Sequence, residues 1–131
     1  MSVARGTLAE RHADRIVLAL PGTDYRILLA TAGAVTAEVG KRVRGVIRAQ
    51  ARRIDVVTTG GRYVEPVYGR PRRVQGAVLA IDSDSDTLTV SVHDGAPIVV
   101  KPDGRQRAGD FRAGQFVSMD VLPGATFTQA T

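Results

Sequence analysis

Apolar and polar residues alternate over short stretches of this chain, at the period of two that puts successive side chains on opposite faces of a strand. Ile16, Leu18 and Leu20 keep that beat, and so do Leu88, Val90 and Val92. The pattern predicts strands at residues 7–10, 15–20, 25–30 and 41–50, with a further short strand at 53–58. A second series is predicted at 74–81, 87–93, 98–101 and 115–122. Pro21-Gly22-Thr23-Asp24, the Asp/Ser run 82–86 and Asp94-Gly95-Ala96-Pro97 supply turns between them. Residues 31–38 read as a loop or one helical turn, and 102–112 as a Gly-rich charged loop. The tail from Pro123 is expected to be loosely ordered. Helix competes with strand over 39–57, because arginine and alanine are good helix formers. Gly45 and the β-branched Val43, Val46 and Ile47 favour strand, with Val43 and Ile47 on one face and Arg42, Arg44 and Arg48 on the other.

The two series share one order of landmarks. Arg5-Gly6-Thr7-Leu8 opens the first and Gln75-Gly76-Ala77-Val78 the second; Gly40-x-x-Val43 with Ile47 closes the first and Gly114-x-x-Val117 with Val121 the second. The offset drifts from 70 to 74 residues, so the insertions fall in loops. An internal repeat of one small β unit follows. Residues 1–57 form a first small β-barrel repeat, 58–73 a connector, and 74–131 a second repeat with a short C-terminal tail.

Size and composition fit that reading. Units of 50 to 60 residues in a 131-residue chain lie near the lower limit for independent folding, so the repeats are expected to pack together or the chain to oligomerise. Three Phe, three Tyr and no Trp leave Val, Leu, Ile and Ala to build the core. Without cysteine there is neither a disulfide framework nor a thiolate metal site. No apolar leader is visible after Met1, and no apolar run is long enough to span a bilayer, so a cytoplasmic location and no membrane partner are expected.

The expected fold is all-β: two tandem small barrels, OB-like (oligonucleotide-binding) or SH3-like, packed through the connector. The run Gly40-Lys41-Arg42-Val43-Arg44-Gly45-Val46-Ile47-Arg48-Ala49, with the opening Gly6-x-Leu8, resembles the closing strand of molybdate-binding TOBE (Mop-type) domains. The resemblance implies a small OB-like barrel, often in tandem, and an oxyanion held between units. It carries over no binding residue, since 30–34 offers only Thr31 where that family's hydroxyls would stand.

Charge is local. Residues 41–73 hold ten of the eighteen basic residues and only two acids, Asp55 and Glu65. The connector interleaves Tyr63 and Tyr68 with Arg62, Arg70, Arg72 and Arg73. A basic patch on an otherwise near-neutral body steers and holds a polyanion. Arginine meets phosphate oxygens with a planar fork, and exposed tyrosines offer stacking faces to single-stranded bases. The candidate polyanion site is therefore Arg42, Arg44, Arg48, Arg52, Arg53, Arg62, Tyr63, Tyr68, Arg70, Arg72 and Arg73. Sixteen arginines to two lysines is also what a GC-rich genome imposes on any surface, and the same arginines then simply solvate a strand face.

Other chemistry finds little footing. Asp82, Asp84 and Asp86 have calcium-loop spacing, but Thr87 stands where such loops need glycine, and no glutamate follows at their spacing. His12 and His93 lie beside turns, and no nucleophile elbow, His-Glu-x-x-His or phosphate-loop lysine is present. The chain reads as a non-catalytic binding module for a polyanion such as single-stranded nucleic acid, with no metal or cofactor. The alternatives are an assembly subunit, a possible homo-oligomer, whose connector packs between barrels or chains, and a small-oxyanion-binding protein of TOBE type.

Overall fold

The computed structural model describes residues 2–130. Eleven strands join in one mixed sheet: β1 (Ala4–Arg11), β2 (Arg15–Ala19), β3 (Arg26–Thr31), β4 (Arg42–Val57), β5 (Tyr63–Glu65), β6 (Tyr68–Gly69), β7 (Arg73–Asp82), β8 (Thr87–His93), β9 (Ala96–Lys101), β10 (Phe116–Val121) and β11 (Thr126–Gln129). No α-helix occurs among the described residues, only a 3-10 turn at Ala108–Asp110. The all-β expectation holds.

The pairing returns on itself twice. β1 pairs with β2, β2 with β3, β3 with β11, β11 with β4, and β4 again with β1. A second circuit runs β7–β8–β9–β4–β10 and back to β7. Strand β4 belongs to both. Its first residues pair with β1 from Arg42 to Gly45, and its later ones with β10 from Ala51 to Val57. In the connector, β5 joins β7 and β6 joins β3, so that segment holds one circuit to the other.

Registers recur between the circuits. Gly6 lies opposite Val43, and Gly76 opposite Val117. The β1–β2 register shifts after Leu8, and the β7–β8 register shifts after Val78. The Gly40 amide donates to the Leu8 carbonyl and the Gly114 amide to the Val78 carbonyl, each at 2.8 Å. Both glycines have positive φ, 89° and 93°, a region that costs other residues strain.

Inward residues fill both circuits. Ile16, Leu18 and Leu20 are buried as the alternation predicts, as are Leu88, Val90 and Val92. Along β4 the buried positions are Val43, Gly45, Ile47, Ala49, Ala51 and Ile54, with arginines between them.

Two segments differ from expectation. The strands expected at 41–50 and 53–58 are one strand, because the two successive polar residues Arg52 and Arg53 sit at an irregularity. There the β10 register jumps from Met119 opposite Ile54 to Val121 opposite Ala51. The tail is not loose. Residues of β11 pair with β3 and β4, and Phe127 is completely buried. The loop 102–112 is pinned by Gln106, whose Oε1 accepts from the Ile54 amide and whose Nε2 donates to the Ile54 carbonyl.

Candidate functional site

Strand β4 carries the arginines that sequence places on one face. Arg42, Arg44 and Arg48 are exposed, while Val43, Gly45 and Ile47 between them are buried. The antiparallel register with β1 sets Arg5 directly opposite Arg44, and Thr7 directly opposite Arg42. Arg5, Thr7, Pro21, Arg42 and Arg44 line a groove of about 730 Å³ whose walls include no carboxylate. Arg5 was missed by the sequence reading. It lies far outside the basic run 41–73, and only the strand register brings it to Arg44.

The remaining predicted residues do not join this groove. Arg52 is exposed beside the irregularity, and Arg53 Nε pairs with Asp55 Oδ1 at 2.8 Å. Arg62 Nη1 pairs with Asp94 Oδ1 at 2.9 Å and also donates to Ser91 Oγ at 3.1 Å. Arg73 donates to Asp120 Oδ1 at 2.9 Å and to Ser118 Oγ at 2.8 Å. Hydrogen bonds with Tyr63 and Asp120 push its pKa further up. Arg62 and Arg73 thus tie the connector to the second circuit.

Both tyrosines have hydrogen-bond partners within the chain. Tyr63 is half-buried beside Arg73, and Val64 is buried in the core. Tyr68 is 56% exposed, but its hydroxyl donates to Glu10 Oε2 at 2.6 Å. That bond holds the Glu10 carboxyl below its ordinary range, helped by His12 Nε2 at 3.1 Å from the other oxygen. Val67 is half exposed, so the connector buries Val64 fully and leaves Val67 and Tyr68 at the surface.

Arg72 is exposed, and its backbone links two strands: its amide donates to Glu65 and its carbonyl accepts from Val121. Arg70 is half-buried in a separate cleft with Arg15, Asp14, Ala30, Pro123 and Gly124. Its Nη1 is buried and meets no hydrogen-bond acceptor among the described residues.

The acidic turn is engaged with backbone. Asp82 Oδ1 accepts from the Asp84 and Ser85 amides, and the Ser85 hydroxyl, with these amides behind it, keeps the Asp82 pKa low. Asp86 Oδ1 accepts from the Ala108 amide at 2.7 Å. No group of three or more His, Cys, Asp or Glu side chains with metal-holding geometry occurs among the described residues. No helix among them is long and apolar enough to cross a membrane.

No protein-family model matches the chain, and no curated protein or solved structure shows significant similarity to it.

Proposed function

We propose that this chain is a pair of small OB-like barrels that binds a polyanion, single-stranded nucleic acid above all, without catalysing a reaction. The support for barrels is the pair of closed pairing circuits. Each has five strands, with β3–β11 parallel in one and β4–β9 parallel in the other. In this reading the two units exchange their last strands. The later half of β4 leaves the first unit to complete the second, and β11 leaves the second to complete the first. Five strands closed as a Greek key make the OB rather than the SH3-like form.

The observation that carries the binding role is the groove over β1 and β4. Arg5 and Arg44 oppose each other across two strands, with Arg42 beside them and no carboxylate in the lining. A phosphate held between the two guanidiniums takes paired hydrogen bonds from each. Arg48 continues the same strand face toward its hydrogen bond with Thr128 Oγ1 at 3.4 Å.

The test is titration of a fluorescent single-stranded oligonucleotide at low and moderate salt. The reading expects saturable binding that weakens steeply as salt displaces the phosphate contacts. No binding at low salt would leave the arginines as a solvated strand face.

A further inference from the structure

The basic surface does not end at the groove. Arg48 follows Arg44 on the exposed face of β4, about 13 Å further on at the ordinary strand rise. There it lines a second cleft, of about 280 Å³, with Gln50, Thr87, Lys101 and Thr126. Beyond it lies the cleft of Arg15 and Arg70, of about 240 Å³. Pro123 and Gly124 line both clefts, so the two abut across that turn. This is the seam between the circuits, where β11 lies between β3 and β4 and β9 lies beside β4. Four cations line the two clefts against one carboxylate, Asp14.

Arg70 distinguishes this seam from an ordinary charged surface. A buried guanidinium nitrogen without an acceptor is costly, and native structures rarely keep one without a reason. The backbone around Arg70 is fixed on both sides. Gly69 pairs with Ile27 in β3, and the Arg72 amide is bound to the Glu65 carbonyl. Among the described residues, Lys101 Nζ, in the neighbouring cleft, donates only to the Ser85 carbonyl, at 3.3 Å.

The geometry points to a phosphate-holding subsite at Arg15 and Arg70, reached from the β4 groove over Arg48 and Lys101. A bound single strand then runs along β4 and crosses the seam, where Ala30, Gly124 and Thr126 leave room for its backbone. Nη1 is sealed from solvent in the free protein, so the Arg70 side chain must turn toward the cleft for a phosphodiester oxygen to supply the acceptor it lacks. Asp14 opposes the same phosphate and limits its affinity. This inference rests on the polyanion reading and gives that ligand a path and a minimum length.

The experiment compares oligothymidylates of 4 and 12 nucleotides, one at the short end of the roughly 4–16 nucleotides that an OB unit spans and one well inside it. A longer strand gains affinity simply by offering more registers, so the variants carry the test. Arg70→Gln and Arg15→Gln should each weaken the 12-mer several-fold and leave the 4-mer unchanged, while Asp14→Asn should tighten the 12-mer. Should Arg70→Gln disturb folding, seen as a lowered melting temperature, the exposed Arg15 carries the comparison. Equal effects on both lengths, or none on either, overturn the subsite while leaving the β4 groove standing. Failure of the polyanion reading looks different: neither length binds, or both ignore Arg42→Gln.

Discussion

The Cβ that Gly6 lacks would stand 2.6 Å from the carbonyl oxygen of Ala19, on the neighbouring strand. Gly76 meets the carbonyl of Ser91 in the same way, and closer still. Both are strand glycines whose missing side chain lets β1 approach β2 and β7 approach β8. Backbone is the obstacle at each, so a methyl group cannot be absorbed by rotating a side chain. Gly6→Ala and Gly76→Ala should each destabilise the fold by about 1–3 kcal/mol, read as lowered urea midpoints. An alanine tolerated without loss at both positions would contradict this packing.

Phe127 carries the C-terminal strand into the first circuit. It is fully buried, and its ring lies against Gly45. Phe127→Ala should cost about 3–5 kcal/mol, as loss of a large buried aromatic does. Thermal melts of Phe127→Ala beside the exposed Val39→Ala check this; equal melting temperatures would mean that the tail adds nothing.

Arg70→Met removes the buried nitrogen without an acceptor and keeps an apolar stem of similar length. The variant should gain about 1 kcal/mol of stability. A melting temperature at or above that of the native protein agrees with this. A clear loss would mean that the guanidinium is satisfied in solution.

The Tyr68–Glu10 bond gives stability a pH signature. Glu10 is lowered from 4.5, chiefly by Tyr68 and then by His12, and the same bond raises Tyr68 from 10.0. A lowered carboxyl pKa contributes stability above the unfolded value and loses it as pH falls through the folded one. A raised tyrosine pKa contributes below its unfolded value and loses it as pH rises through the folded one. The difference in melting temperature between the native protein and Tyr68→Phe should therefore be largest between about pH 5 and 10 and close at both ends. Both groups are exposed, so the difference is small. A gap that persists unchanged in strong acid would contradict the assignment.

Much of the strand framework was legible because side chains on a half-buried strand repeat every second residue. Val43 and Ile47 inward with Arg42, Arg44 and Arg48 outward needed no more than that. What failed was continuity. Arg52 and Arg53 break the alternation, so β4 reads as two strands, and only the shift against β10 shows how one strand absorbs an extra residue. The tail failed for a different reason. Pro123-Gly124 is an ordinary stop signal, and Thr126–Gln129 finds its partners at Ala30–Thr31 and Gly45–Arg48, which no local pattern indicates.

The candidate site divides along the same line. Arginines on one strand were placed together because their spacing alone decides their face. Arg62 and Arg73 were grouped with them by proximity in the chain, yet Asp94 and Asp120 hold them elsewhere. Arg5 needed the β1–β4 register, which the matching positions of Gly6 and Gly76 hinted at but did not fix.

The most direct test of the binding role is the salt dependence of oligonucleotide affinity for charge-matched variants. Arg5→Gln/Arg42→Gln removes two arginines from the groove, and Arg107→Gln/Arg112→Gln removes two from the distant loop before β10. The account predicts that the groove variant loses about one unit of slope in log K against log salt per arginine, with a several-fold drop in affinity. The loop variant should keep the native slope. Equal losses in both variants would make the attraction one of net charge alone, and would contradict a binding site over β1 and β4.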